Sequence, residues 1–384
     1  MNVAPASDVH PHDPGAAPAA DAVGSAHRIP QLDGLRGAAL VAMLSYSSHR
    51  LRGGFVSVDV FFVLSGYLIT TLLLRSHRRG SASLGSFYAR RARRLFPGLV
   101  VFLFGVAVFA VVVARPVDLG QIRGDGLATL AYVYNWHTIV AGHRYGDIFV
   151  APTPLQPMWT LSVEEQFYLA WPLVVGVLVR RARRPLTATL QACAVGAVAS
   201  GALMVLLSIT GVSFTRIYEG TDTRVYAVLA GSGLAAWLLR RPRRFAALPT
   251  ASVRFAGWAA AALLVALCAG VDLHGPLAFR GGLLLATVAT VVLIAALVYP
   301  GGQGGEAGQG GRGPGLVFGH PVLVRLGRIS YGAYLWHGVT FQVLTPTRTG
   351  LGPWTLWALQ LAVTFAIAEV SFRLVEEPFL SGRL

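Results

Sequence analysis

The chain has 384 residues, of which 54% are hydrophobic and only 13% charged, with a net charge of +15. A water-soluble protein of this length carries about a quarter charged residues, so the composition excludes a large water-soluble core and points to the bilayer. The positive charge does not mark a nucleic-acid binder. All 32 basic residues are arginine, and they sit in short clusters at the ends of apolar runs, the pattern that orients a membrane protein.

Residues 1–27 are rich in Ala, Pro, Asp and His and have no apolar centre, so they fit neither a signal peptide nor a span. They read as a disordered cytoplasmic tail ahead of a membrane domain at 28–384. Apolar runs follow at 35–48, 55–74, 97–114, 159–179, 186–209, 223–239, 253–271, 281–299, 329–345 and 354–373. Most have the ~20 residues needed to cross; the first is short unless it begins nearer Leu32. A weaker stretch at 124–141 carries Asn135 and His137. The arginine clusters at 75–94, 180–184 and 240–244 all fall on one side, with both termini, only if 124–141 does not cross. The expectation is an all-α polytopic membrane helix bundle of about ten transmembrane helices, with 115–157 an outer, re-entrant segment. Arg50 and Arg52 lie outside as exceptions. Residues 301–315, GGQGGEAGQGGRGPG, read as a flexible linker. Cys193 and Cys268 lie inside apolar runs and read as small core residues, with no disulfide framework.

The polar residues inside these runs are costly and mark where chemistry sits. Arg36 and Ser47 are 11 residues apart on the first run, about three turns plus 20°, and so share a helix face. Gly34 and Gly37 beside Arg36 admit another backbone or a ligand at close range. Asp59 near the start of the second run needs a partner, which Arg36, Arg52 or Arg224 can supply; structural pairing and catalysis are equally open. Ser65-Gly66 reads as a small-residue packing notch. Arg90, Arg91, Arg93 and Arg94 precede the third run, either as positive-inside anchors or as a cytosolic phosphate site. Glu164, Glu165 and Gln166 enter the fourth; adjacent residues on a helix point about 100° apart, so one carboxylate faces the bundle interior and the other a neighbour or water. Asp222 can cap the sixth. His337, with Tyr331 and Tyr334, is either a satisfied structural group or a polar site wall. No metal-ligand spacing is present.

The strings LDGLRG, GGFVSVDVFFVLSGYLI, FYARRARRLFP, WTLSVEEQFYLAWP, TDTRVYAVLAGSGLA, LGRISYGAYLWH and SFRLVEEPF occur in this order. Together they resemble the family-3 integral-membrane acyltransferases, which O-acylate bacterial cell-surface polysaccharides, lipid-linked sugars and secondary metabolites. The likeness covers residues 29–380, essentially the membrane domain, and no esterase-like domain follows, so the chain looks like a stand-alone member. The resemblance implies a multi-pass protein of the bacterial inner membrane that moves an acetyl or other short acyl group from a cytosolic donor of the acyl-CoA type to a hydroxyl of a carbohydrate, glycolipid or metabolite. No permanently bound cofactor is implied. Arg36 matches the family's arginine, Arg91 and Arg94 its RXXR pair, and Glu164 and Glu165 its carboxylates; the basic loop at 75–94 would hold donor phosphates.

The sequence departs from the family at two places. Relatives carry histidine 11 residues after the arginine, where this chain has Ser47, and often two residues before the tryptophan of the WTLSVEEQFY string, where it has Pro157. A hydroxyl cannot act as a base near neutral pH as imidazole does. The candidates for that role are Glu164, Glu165, His337, or His49 swung in from a distorted helix end. Arg36 is the candidate for binding or electrostatic stabilisation. The rival readings are a family member that binds or exports a glycan or lipid without catalysis, and a transporter.

Overall fold

The structure, a computed structural model, describes residues 29–80, 83–142, 153–300 and 313–380. The expected tail at 1–27 and most of the linker at 301–315 lie outside the described residues. In chain order the helices are α1 (Pro30–Ser47), α2 (Ser57–Arg78), α3 (Leu84–Val112), α4 (Leu119–Leu130), α5 (Tyr134–Ala141), α6 (Met158–Arg181), α7 (Pro185–Ile209), α8 (Phe214–Glu219) and α9 (Thr221–Arg240). They continue with α10 (Pro242–Ala246), α11 (Thr250–Gly270), α12 (Leu283–Leu297), α13 (Gly315–Phe318), α14 (Pro321–Arg328), α15 (Ser330–Val343), α16 (Pro346–Thr349), α17 (Pro353–Ser371) and α18 (Glu377–Leu380). Among the described residues there is no strand.

Each of the ten apolar runs is a helix in place: α1, α2, α3, α6, α7, α9, α11, α12, α15 and α17. The first begins at Pro30, whose fixed φ suits the opening turn of a helix, so the short run gains a turn. Among the described residues, six helical stretches are long and apolar enough to cross a bilayer by length and composition: Gly54–Arg78, Leu84–Val112, Pro185–Ile209, Thr250–Gly270, Ala278–Leu297 and Pro353–Phe379. The chain is a multi-pass helical membrane protein. The remaining four, α1, α6, α9 and α15, carry Arg36, Glu164 with Glu165, Arg224, and His337. These four bring polar groups into the bundle, as do Asp59 of α2 and Arg91 of α3 from helices that meet the apolar test. The last of them is short, and α14, carrying Arg325 and Arg328, extends it after a break at Ile329.

Contacts at the two ends agree with ten alternating helices. At one end Arg52 Nη2 meets Asp272 Oδ2 at 2.6 Å, and the Arg50 guanidinium lies 5.5 Å from the Trp354 ring centre. These are the partners of the two arginines that stood as exceptions. At the other, arginine-rich end, Arg78 donates to the Leu239 carbonyl at 3.3 Å and the Tyr299 hydroxyl to that of Ala246 at 3.1 Å. The 124–141 stretch does not form one crossing helix: α4 and α5 have 12 and 8 residues and are separated by a turn in which Tyr132 has φ 55°.

Two pairs of helices approach at glycine. A Cβ on Gly34 or Gly37 would come within 1.6 Å of the Phe318 carbonyl oxygen or 2.1 Å of that of Leu323, and one on Gly327 within 1.8 Å of that of Asp33. The glycines flanking Arg36 therefore admit the α13–α14 backbone, so their bareness serves packing there and not a ligand. In the same way Gly66 on α2 and Gly231 on α9 would clash with the carbonyl oxygens of Val228 and Val63, at 1.8 and 2.0 Å. Asp222 does not cap α9; it pairs with Arg216, whose Nη1 donates to Oδ1 at 2.8 Å. Both cysteines are free, Cys193 buried and Cys268 half-buried.

Candidate active site

Arg36 lies early in α1 and Arg91 early in α3, and both helices rise from the arginine-rich end. They converge on the first half of α6, where three consecutive polar residues point in three directions because each step turns the helix by about 100°. Glu165 is held by Arg91: Nε donates to Oε2 at 3.0 Å and Nη2 donates to Oε1, a two-pronged pair. The same guanidinium lies over the Tyr168 ring, 3.3 Å from its centre. Gln166 faces the α4–α5 hairpin, donating to the Tyr132 carbonyl at 2.8 Å and to Asn135 Oδ1 at 3.0 Å, and accepting from Trp136 Nε1 at 3.3 Å. The hairpin turn thus reaches the level of the carboxylates.

Glu164 is held more lightly than its neighbour. Ser65 donates to its Oε1 at 2.9 Å. Among the described residues it forms no ion pair, although the charges of Arg91 and Arg36 both act on it. Ser65, read from sequence as packing, is its hydrogen-bond partner, while Gly66 beside it is the packing notch. Arg94, one turn beyond Arg91, is exposed, and its charge acts on the buried Glu376 of the last span.

Ser47 and His337 belong to another level. Ser47 closes α1 at the end away from the arginine clusters, about 16 Å along the axis from Arg36, and its hydroxyl donates to the Met43 carbonyl at 3.2 Å. The shared helix face does not bring these two residues together. His49 stands past the helix end, exposed, with φ 58°, and does not turn in towards Arg36. His337 is buried, with Nδ1 2.6 Å from the Tyr334 carbonyl oxygen; a carbonyl can only accept, so Nδ1 carries the proton. The Tyr334 hydroxyl donates to the Pro157 carbonyl at 2.6 Å. Neither residue meets Glu164 directly.

The buried acid at the start of α2 finds its partner in α9. Arg224 Nη2 donates to Asp59 Oδ2 at 2.8 Å and the Tyr226 hydroxyl to Oδ1 at 2.8 Å, with Arg224 and Asp59 fully buried. This resolves the choice among three arginines: Arg52 is taken by Asp272, and the charge of Arg36 acts on Glu164. Sequence reading passed over Glu219, a buried carboxylate that accepts from Thr138 of the hairpin at 2.5 Å, and Asp125, which accepts from Thr153 at 2.7 Å and lies 3.3 Å from His137. A carboxylate on a stretch too short to span was the available signal. Among the described residues no cluster of His, Cys, Asp and Glu is placed to hold a metal ion.

Residues 29–372 match the family model described as an acyltransferase domain. The chain belongs to the family-3 acyltransferases. It is 36% identical over 361 residues to the peptidoglycan O-acetyltransferase OatA of Listeria monocytogenes, covering 91% of this chain and 55% of that protein. It is 35% identical to YrhL of Bacillus subtilis, described provisionally as a peptidoglycan O-acetyltransferase, over 92% of this chain and 55% of YrhL. A Staphylococcus aureus protein described provisionally as an O-acetyltransferase is 32% identical, over 91% of this chain and 57% of its own length. The chain therefore spans little more than half the length of these relatives. No solved structure matches it. In this family-3 acyltransferase the RXXR arginines are unlike: Arg91 is committed to Glu165, and Arg94 is exposed.

Proposed function

We propose that this chain transfers an acetyl or other short acyl group from a thioester donor of the acyl-CoA type to a carbohydrate hydroxyl, with Glu164 as the base. The observation that carries this reading is the contrast within one dipeptide: Glu165 is saturated by Arg91, and Glu164 is held by one hydroxyl beside two arginine charges. In this scheme Glu164 takes the proton of the acceptor hydroxyl as its oxygen attacks the thioester carbonyl. The new C–O bond forms, Arg36 stabilises the oxyanion, and the C–S bond breaks with its electron pair leaving on sulfur, which takes up a proton. Arg94, and not Arg91, is the residue of the pair offered to donor phosphates.

The acceptor class follows from the relatives, of which one is named as acting on peptidoglycan; a glycan hydroxyl of that kind is the proposed acceptor, ahead of a glycolipid or a metabolite. The arginine-rich end is assigned to the cytoplasm and the protein to the bacterial inner membrane, with both termini cytoplasmic, by the positive-inside bias. The testing experiment is incubation of purified protein in lipid with acetyl-CoA and glycan fragments, read by mass spectrometry for an acetylated product. Product lost in Glu164→Gln supports the reading. Absence of product from the unaltered protein, with donor binding intact, favours a member that binds or exports a glycan without catalysis, a reading that rests on Ser47 and Pro157 where relatives carry histidine.

A further inference from the structure

Helices α7 and α9 lie side by side and leave a groove that the active-site description does not use. Its volume is about 430 Å³, within the range of ligand pockets. Cys193, Ala194 and Ala197 of α7, Ala230 and Gly233 of α9, and Val291 of α12 line it, an almost wholly apolar surface. Gly233 fixes its narrow side: a Cβ there would stand 3.4 Å from that of Cys193. Small residues alone would say only that helices pack. The second observation is electrostatic and concerns the mouth.

Immediately before α7 the chain reads Arg180-Arg181-Ala182-Arg183-Arg184, and at the end of α9 it reads Arg240-Arg241-Pro242-Arg243-Arg244. The two helices are antiparallel, with Leu190 of α7 level with Gly233 of α9, so both quartets meet at the same end of the groove. Arg183, Arg184, Arg243 and Arg244 are exposed, and none of the eight forms an ion pair among the described residues. Orienting a membrane protein needs a modest excess of basic residues; eight without a single acid between or beside them make this end of the groove strongly basic. The opening turn of α7, with its unsatisfied N–H groups, points at the same spot and adds to the attraction for an anion. Trp237 lines the groove one turn below Arg240, at the depth where tryptophan sits against headgroups.

We propose that this groove is a binding site for an anionic phospholipid, with the phosphate among the two arginine quartets and one acyl chain along Ala194, Ala197, Ala230 and Gly233. The selectivity lies in the headgroup. Moving a chain from bulk lipid into an apolar groove gains little, because lipid tails are as apolar as the lining. Basic pockets between spans on the cytoplasmic side bind anionic headgroups. This site is independent of the transfer reaction, so its test does not depend on activity.

The experiment is native mass spectrometry of the full chain released from nanodiscs holding equal amounts of phosphatidylglycerol and phosphatidylcholine of the same chains. The expected result is retention of one phosphatidylglycerol, enriched roughly fivefold or more over phosphatidylcholine. Replacing Arg183, Arg184, Arg243 and Arg244 together with Gln, all exposed and so tolerated by the fold, should remove the preference. Ala194→Phe, which fills the groove, should reduce retention of both lipids. Since that variant can perturb packing, a diazirine-tailed phosphatidylglycerol provides a second measurement in the unaltered protein, with cross-links expected on α7 and α9. Equal retention of the two lipids by the unaltered protein, enrichment that survives the four Gln substitutions, or cross-links spread evenly over the lipid-facing helices would each overturn the proposal. Capture of a neutral polyprenyl-type lipid in place of phosphatidylglycerol would overturn it as well.

Discussion

Replacing Glu165 with Gln leaves Arg91 a neutral acceptor in a partly buried pair, whereas replacing Glu164 with Gln removes a carboxylate whose hydrogen-bond partner among the described residues is Ser65. The two isosteric changes should therefore separate. Glu164→Gln is expected to lower acyl transfer about 10²- to 10⁴-fold, the usual worth of a positioned base, with thermal stability unchanged. Glu165→Gln is expected to cost stability, about 1.5–3 kcal/mol for a charge-assisted hydrogen bond, with activity falling in step with folded protein. Thermal unfolding in detergent beside an acetyl-transfer assay distinguishes them, and equal loss of activity at equal stability would argue against the division of labour. The arginines should separate likewise. Arg94→Ala should weaken acyl-CoA binding roughly ten- to a hundredfold at constant protein level. Arg91→Ala should show non-additive losses with Glu165→Gln, as partners in one pair do. Ser47 lies about 16 Å from Arg36 along α1. Ser47→Ala is thus expected to be mild, and Ser47→His to raise transfer only if an imidazole at that end takes part; the rates of the two variants decide it.

At the scale of elements, what joins the helices is glycine at the closest approaches and polar pairs between helices far apart in sequence. Gly66→Ala should be destabilising by several kcal/mol, since the added methyl would meet the Val228 carbonyl oxygen at 1.8 Å and neither backbone can retreat without the other. Gly176→Ala, on α6 with nothing within 4 Å of the new methyl, should be neutral or stabilising by about 0.5–1 kcal/mol. The comparison of unfolding midpoints controls for the substitution itself. The α4–α5 hairpin is tied down mainly through Gln166, Asn135 and Glu219. Gln166→Ala removes its bonds to Tyr132 and Asn135. Faster amide exchange at 131–136 is the expected consequence, and unchanged exchange there would assign the hairpin's order to its apolar contacts.

At the scale of the molecule, polar groups divide by depth. Arg36 lies near the arginine-rich end, Arg91 meets Glu165 beside Glu164 within the bundle, and Ser47, the Tyr334–Pro157 contact and Arg52 with Asp272 lie towards the other end. In a chain whose Cys193 and Cys268 are replaced by Ala, cysteines introduced at Arg78, Arg183 and Arg243 should resist an impermeant thiol reagent in intact cells. Cysteines introduced at Arg52 or Asp272 should react. Labelling at 183 but not at 78 would mean that the hairpin stretch crosses after all.

The amino-acid sequence by itself located the ten helices and marked 124–141 as the weaker stretch, because apolarity, length and arginine placement are local quantities that can be read along the chain. It also singled out Arg36, Arg91 and the Glu164–Glu165 pair, since charges inside apolar runs are conspicuous. What it left open were questions of partnership. Asp59 had three candidate arginines, and only the packing of α2 on α9 assigns Arg224. The two carboxylates were interchangeable on paper, and the rotation of α6 against α2 and α3 gives one to Arg91 and the other to Ser65. Gly34 and Gly37 read equally as room for a ligand until α13 and α14 filled it. Ser47 shares a face with Arg36, but a face is a direction and not a place: 11 residues of helix carry it to the far end of the bundle. Many of the ion pairs and close approaches join residues far apart in sequence, from Arg91 with Glu165 to Asp33 with Gly327, and no local pattern encodes which of several equivalent side chains will meet; only the folded bundle, by fixing helix rotation and depth, decides it.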